Sequence, residues 1–224
     1  MQVRRIDLSH VVEPGMPMFP GLPSPVVTAL VAREDSRRFY AGGTSFLLTF
    51  VTMPGNTGTY MDAPFHRFAG GDDLPDLPLE RLAHVPAVVV RVNEPADRPV
   101  AGVDTFRPLG GQLQGRAVLV ATGWDRHWGE PRYIERNPYL TAEAARFLRD
   151  EGVALVGIDS ANIDDMADRT RPVHTILLEA GIPIVENLTG LTTLPERGAF
   201  LHAAPVKVRG GAAFPVRAYA VLLE

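Results

Sequence analysis

Asn56, Tyr60, Asp62 and His66 stand at intervals of four, two and four residues in one short stretch, 54–67. A carboxylate and an imidazole this close suit two kinds of chemistry. They can hold a divalent metal, and they can move protons near neutral pH. Asp62 and His66 are ordinary strong ligands. Asn56 offers a weak, hard amide oxygen, and Tyr60 would have to ionise from a pKa near ~10. A second group, His174 and Glu186, follows more than a hundred residues later. Whether the two groups meet, and whether they meet around a metal, decides what the chain can do.

The elements that must position these residues can be read locally. Residues 44–51 are rich in β-branched and aromatic side chains and predict a strand, which Pro54-Gly55 ends. If the chain continues extended, Asn56, Gly58, Tyr60 and Asp62 share a face, because side chains alternate with period two. Pro64 biases Ala63 to extended geometry, so His66 comes just past a rigid corner. Residues 153–162 form an apolar run ending in Asp159, Ser160 and Asn162. Polar groups beyond the carboxyl end of a buried strand are where α/β folds place ligands, which makes Asn162 a candidate substrate contact. A short helix begins at Pro172, with His174 in its first turn and Gly181 at its end. Residues 182–186 read as a strand closed by Glu186, a carboxylate that must be exposed or paired.

Further strands are predicted at 3–9, 25–32, 87–92, 116–121 and 153–158. The tail, 198–223, reads as a hairpin. Short helices are expected at 77–82, 103–106 and 142–150, the last with Thr141 as N-cap and Gly152 as stop. Residues 93–101 form a polar connection. Met16, Met18 and Phe19 on a Pro-rich turn are expected to wall a pocket. Trp124 and Trp128 follow a strand end and suggest a rim that stacks a flat substrate, with Trp124 as a binding residue; a packed loop is the bland alternative. Residues 131–138 look irregular and mobile. Asp164, Asp165 and Asp168 look like a solvated loop. His10, His84 and His202 are expected to be structural or exposed.

The two segments together resemble the cyclase family, the kynurenine formamidase-like metal-dependent hydrolases. That family's usual motif is His-x-Gly-Thr-His-x-Asp-x-Pro-x-His. Here it stands as Asn56-Thr57-Gly58-Thr59-Tyr60-Met61-Asp62-Ala63-Pro64-Phe65-His66. Asp7-Leu8-Ser9 with Pro14-Gly15-Met16-Pro17, Thr122-Gly123-Trp124, Gly157-Ile158-Asp159-Ser160, His174 and Glu186-Asn187-Leu188 look like its other landmarks. The resemblance implies that Asp62, His174 and Glu186 are surviving metal ligands and that His66 is the general acid/base. It implies an aromatic substrate contact at Phe19. It also implies a swivelling β/β/α architecture and a homodimer or higher homo-oligomer. Two early motif histidines are Asn56 and Tyr60 here, which empties or weakens a first metal site.

Three functions therefore stay open. In the first, Asp62, His174 and Glu186 hold one Zn²⁺, Mn²⁺ or Mg²⁺, and the chain hydrolyses a cyclic or aryl amide, ester or lactone. In the second no metal is needed: Tyr60 donates to a developing oxyanion or enolate, His66 acts as base oriented by Asp62 or Glu186, Asn56 holds a substrate carbonyl, and the reaction is a cyclisation, isomerisation or dehydration of a carbonyl-bearing substrate. In the third the fold binds a ligand without turnover. The 224 residues carry a net charge of −4 with 46% hydrophobic and 21% charged residues, an ordinary globular mix. Nothing points to nucleic acid or a membrane; a small molecule is the expected partner. Cysteine is absent, which excludes disulfides and thiolate chemistry. With no long apolar run and no signal-peptide pattern, the expected location is cytoplasmic. The expected fold is a single α/β domain over residues 1–224 with a largely β core.

Overall fold

The computed structural model describes residues 2–92 and 98–223. Its strands are β1 (Val3–Asp7), β2 (Val26–Val31), β3 (Leu48–Thr52), β4 (Tyr60–Asp62), β5 (Val85–Arg91), β6 (Val100–Ala101), β7 (Ala117–Ala121), β8 (Tyr139–Leu140), β9 (Leu155–Ile158), β10 (Ile184–Glu186), β11 (Ala199–His202), β12 (Ala213–Pro215) and β13 (Tyr219–Leu223). The α-helices are α1 (Arg33–Ser36), α2 (Val103–Phe106), α3 (Pro131–Glu135), α4 (Ala142–Asp150) and α5 (Pro172–Glu179). Nine strands form one sheet in the order β1-β13-β11-β5-β7-β9-β10-β4-β12. Its centre, β5-β7-β9-β10, is parallel, and the flanking pairs are antiparallel. This is the α/β fold with a largely β core that the sequence predicts.

The parallel centre explains its own composition. β7 reads Ala-Val-Leu-Val-Ala and is buried at every position. Such a continuous apolar run fits a strand covered on both faces. Leu119 and Val185 face one core, with Leu8, Leu188 and Leu201. Val118, Val156 and Ile184 face the other, with Phe106, Leu148, Val173 and Leu177 from α2, α4 and α5. The crossover between β7 and β9 runs through α4, whose Thr141 N-cap accepts a hydrogen bond from the Ala144 amide at 3.3 Å. The crossover between β9 and β10 runs through α5. Gly157 in β9 leaves room for both neighbours: a Cβ there would lie 2.6 Å from Leu188 Cδ1 and 2.9 Å from Leu119 Cδ2.

The sheet is curled, and connectivity proves it. β12 lies at one edge and β13 is second from the other, yet only residues 216–218 join them. In a flat sheet seven strand spacings would separate them by ~34 Å, at ~4.8 Å each. Four residues of chain reach at most ~14 Å. The seam is laced by Leu8 N–H to Ala218 O (2.9 Å), Val216 N–H to Thr59 O (2.9 Å) and Thr189 N–H to Leu8 O (3.0 Å).

Several local expectations change. The tail is not one hairpin: β11 pairs with β13, while β12 crosses to β4. Residues 131–138 are not an irregular cover, because α3 occupies most of them and buries Tyr133. The strand expected over 44–51 begins only at Leu48. Of the connection expected over 93–101, residues 93–97 lie outside the described residues. β2 and β3 pair with each other alone and leave Val26, Val27, Leu30, Leu48, Phe50 and Val51 exposed.

Candidate functional site

β4 and β10 are antiparallel neighbours, with Tyr60 opposite Glu186 and Asp62 opposite Ile184. Period-two alternation puts Tyr60, Asp62 and Glu186 on one face of the sheet and sends Met61 and Val185 to the other. His174, in the first turn of α5, reaches the same place. His174 Nε2 lies 3.6 Å from Asp62 Oδ2 and 3.5 Å from Glu186 Oε1. One ligand atom from each of the three residues lies within 4.8 Å of the others. The two distant groups of the sequence thus form one cluster, and all three side chains are buried.

Each member is held by neighbours. Glu186 accepts from the Ile163 amide at 2.7 Å and from the Tyr60 hydroxyl. Asn56 donates to Asp62 Oδ1 at 3.2 Å. Asp62 Oδ2 is buried and has no hydrogen-bond partner. His174 is anchored by Asp164. One Asp164 oxygen accepts from Val173 N–H at 2.7 Å. The other meets His174 N–H at 3.0 Å and His174 Nδ1 at 2.6 Å. The solvated-loop expectation fails for Asp164, which is fully buried. It caps α5 from seven residues before the cap position and turns His174 Nε2 toward the two carboxylates.

The electrostatics follow from burial. Burial pushes the Glu186 carboxyl up to about 7; Asp62's charge adds to this, while His174 and the Tyr60 hydrogen bond oppose it. Burial works against a charged His174, but the Asp164 and Asp62 contacts and Glu186's charge outweigh it and raise the imidazole to about 10. Burial and the charges of Glu186 and Asp62 push the Tyr60 phenol well above its usual value, so it stays a hydrogen-bond donor.

The donor set fits one divalent cation. It offers two carboxylates, one imidazole whose other nitrogen is fixed by a carboxylate, and a buried carboxylate oxygen that makes no hydrogen bond. It does not fit a second cation at Asn56 and Tyr60. The phenol is protonated and committed to Glu186, and the Asn56 amide donates to Asp62.

The cluster opens to a cavity of about 250 Å³ lined by Phe19, Leu22, Asn56, Tyr60, Asp62, His66, Arg67, Asn162, Arg171 and His174. His66 sits at its rim on the turn after Pro64, with Nδ1 3.6 Å from Asp62 Oδ1 and its ring centre 6.2 Å from that of His174. A narrower recess beside it is walled by Met18, Phe19, Trp128, Tyr133 and Ile134. Phe19, Asn56 and Asn162 therefore stand where a ligand would touch them, but Trp124 does not. Trp124 is 1% exposed, its indole N–H donates to Tyr133 O at 3.1 Å, and it lines neither cavity. Its partner Trp128 lines the recess and stacks on His10 at 3.8 Å. Burial lowers the His10 imidazole to about 4, as expected of a structural histidine.

Asn187, left without a chemical role by the sequence, holds the loop before β4. Asn187, in the left-handed region at φ 56°, donates from its side chain to Gly58 O at 2.8 Å. Its carbonyl accepts from Thr59 Oγ1 at 2.5 Å, and its side-chain oxygen accepts from Tyr133 at 2.9 Å. Asn after Glu186 was the available signal, since asparagine tolerates that backbone region.

Comparison with known proteins gives consistent likenesses. The family model described as "Putative cyclase" matches residues 6–165. A kynurenine formamidase of Salinibacter ruber is 32% identical over 216 residues, 95% of each chain. Isatin hydrolase A from Ralstonia solanacearum is 26% identical with a TM-score of 0.83, covering 99% of this chain and 92% of that one. A solved structure described as a potential metal-dependent hydrolase with cyclase activity is 27% identical, with a TM-score of 0.81 over 100% of both chains.

Proposed function

The chain belongs to the cyclase family, and from that premise we propose that it is a hydrolase of an aryl or cyclic amide, ester or lactone that works with one divalent cation held by Asp62, His174 and Glu186. One observation carries the proposal. A carboxylate oxygen of Asp62 is buried without a hydrogen bond, with His174 Nε2 no nearer than 3.6 Å, in the middle of a carboxylate–imidazole cluster at the floor of a ligand-sized cavity. Leaving such an atom unpaired costs on the order of 1–3 kcal/mol, which a cation would offset. The formamidase and isatin hydrolase relatives support amide hydrolysis as the reaction type. Two carboxylates and one imidazole make a hard site, suited to Mn²⁺ or Mg²⁺ as well as Zn²⁺.

A bound cation would supply Lewis-acid polarisation of the carbonyl and a more acidic water near neutral pH. The rest belongs to the chain. His66, at the rim with its ring turned toward Asp62, takes the proton from the attacking water and returns it to the departing nitrogen or oxygen. Tyr60 stays protonated and holds Glu186 in place. Phe19 and the Trp128–Tyr133 recess present apolar walls to a ring. Replacing His66 with Ala should lower kcat by about 10²–10⁴-fold while the protein still binds Mn²⁺ in calorimetry. Full turnover without His66 would sink its role. Chelator-treated protein that hydrolyses formanilide and phenyl acetate undiminished would sink the metal reading.

A metal-independent proton transfer is favoured by one feature: the Tyr60 hydroxyl donates to Glu186 where the family motif has an imidazole. Metal analysis of the active protein separates the two. We also propose a homo-oligomer. The β2–β3 pair presents an apolar face that nothing else in the chain covers among the described residues. No described helix is long and apolar enough to cross a membrane; a cytoplasmic location is proposed on the kinship with formamidases.

A further inference from the structure

The hydrolytic site leaves two guanidiniums without a role. Arg67 and Arg171 both line the cavity that ends at Asp62 and His174. Arg67 directly follows the proton-transfer residue His66. Its Nε donates to Thr175 Oγ1 at 3.2 Å and its Nη2 to Thr170 O at 3.0 Å. Arg171 Nη1 donates to Asp165 O at 3.2 Å. All three acceptors are neutral. Among the described residues neither guanidinium forms an ion pair with a carboxylate. The two acids that sense Arg171's charge, Asp165 and Asp168, are occupied elsewhere. Asp165 pairs with Arg98 at 2.5 Å, and Asp168 accepts from Thr170 N–H and Oγ1 at 2.9 and 2.7 Å.

Arg171 is also in a costly backbone conformation. Its φ of 51° and ψ of 59° place it in the left-handed region. A side chain there costs roughly 1–2 kcal/mol that glycine would avoid. Strain of this kind at a cavity mouth points to work done by the side chain. Arginine offers a planar fork of donors matched to a carboxylate, which a glycine or a lysine does not. Across the same cavity stand Phe19 and Leu22, which are apolar. The mouth therefore combines two cations with uncommitted donors and an aromatic wall, above an acidic floor.

We propose that the substrate is an aryl carboxylate. Arg67 and Arg171 grip its carboxylate at the mouth, and its scissile carbonyl reaches toward Asp62, His174 and Glu186. The proposal rests on the hydrolase reading for what happens at the floor, but not for what binds at the mouth. The test is therefore a binding measurement. Calorimetry compares benzoate with benzamide on the full chain, both Mn²⁺-loaded and chelator-treated. Benzoate should bind about tenfold or more tightly than its neutral twin in both forms, as charge-assisted bidentate hydrogen bonds predict. Added salt should shrink that advantage. The double variant Arg67→Gln, Arg171→Gln should abolish it, and Arg67→Lys should retain part of it.

Arg171→Gly supplies an independent arm. It should raise the melting temperature by relieving the backbone, yet weaken benzoate binding; a purely structural arginine would not give that opposite pair. Equal binding of the two probes overturns the proposal. So does an advantage that survives the double variant, or one that disappears on metal removal, since either puts the carboxylate on the floor instead. A chain that prefers benzoate but hydrolyses nothing would refute the hydrolase reading and leave the carboxylate grip standing.

Discussion

At the residue scale the site turns on what Asn56 and Tyr60 do in place of imidazoles. Both have become partners of the acids: Asn56 donates to Asp62 and Tyr60 to Glu186. They trade metal affinity for hydrogen bonds that hold two buried carboxylates. Restoring both imidazoles, Asn56→His with Tyr60→His, should add strong ligands beside Asp62 and raise Zn²⁺ uptake per chain. Unchanged stoichiometry by elemental analysis would mean that these side chains do not face Asp62. The cluster also predicts how stability depends on pH without metal. The His174 imidazole is raised to about 10 and the Glu186 carboxyl to about 7. For each, the folded state holds its proton more tightly than the unfolded chain does. Stability should then fall as pH rises, across about 4.5–7 for Glu186 and about 6.5–10 for His174. Thermal melts of chelated protein should show this decline, and Mn²⁺ should flatten it. A melting temperature that rises through that window would contradict the buried, proton-sharing cluster.

At the element scale, the start of α5 is where the sequence was least legible. N-cap rules look at the residue before the helix, and Arg171 there is a poor cap. The cap is Asp164, supplied from the loop after β9. No local pattern marks it, because the contact depends on how that loop folds back over the helix. His174 and Glu186, by contrast, were legible. An imidazole inside a first turn and an acid closing an apolar run are both recorded in linear order. The trouble at Trp124 and Trp128 was one of direction. Spacing placed both on one loop, but not which of the two packs inward. The tail misled for a similar reason, since antiparallel alternation reads the same whether consecutive strands pair or part. Asp164→Ala should destabilise the protein by about 1–3 kcal/mol, because it strips two buried amides and an imidazole of their acceptor. Asp164→Asn keeps an acceptor for one of the two amides, so it should fold better than the Ala variant yet still lose about 10–100-fold in metal affinity. Undiminished affinity in the Asn variant would show that His174 needs no orienting partner.

On the scale of the whole molecule, the α/β class and its β core were legible because the parallel strands are long apolar runs separated by helix signals. The curl was not, since it is a property of the complete strand order. The β2–β3 pair stands apart from the main sheet with Phe50 58% and Leu30 64% exposed. An apolar face of that kind marks an interaction surface. Phe50→Asp with Leu30→Asp should shift the particle to a smaller species in sedimentation analysis while leaving the circular dichroism spectrum unchanged. An unaltered sedimentation coefficient would count against the proposed homo-oligomer contact at this face.

The seam near residues 216–218 carries a consequence for biogenesis. β1 leaves the ribosome more than 200 residues before β13, its partner in the sheet. During synthesis the early strand has an open edge and no native neighbour. Such edges invite pairing with other chains. Long-range closure of this kind also slows folding. Arg4 on one face and Arg5 with Asp7 on the other put charge on both faces of that waiting strand. Charged side chains on an edge strand disfavour pairing with other chains.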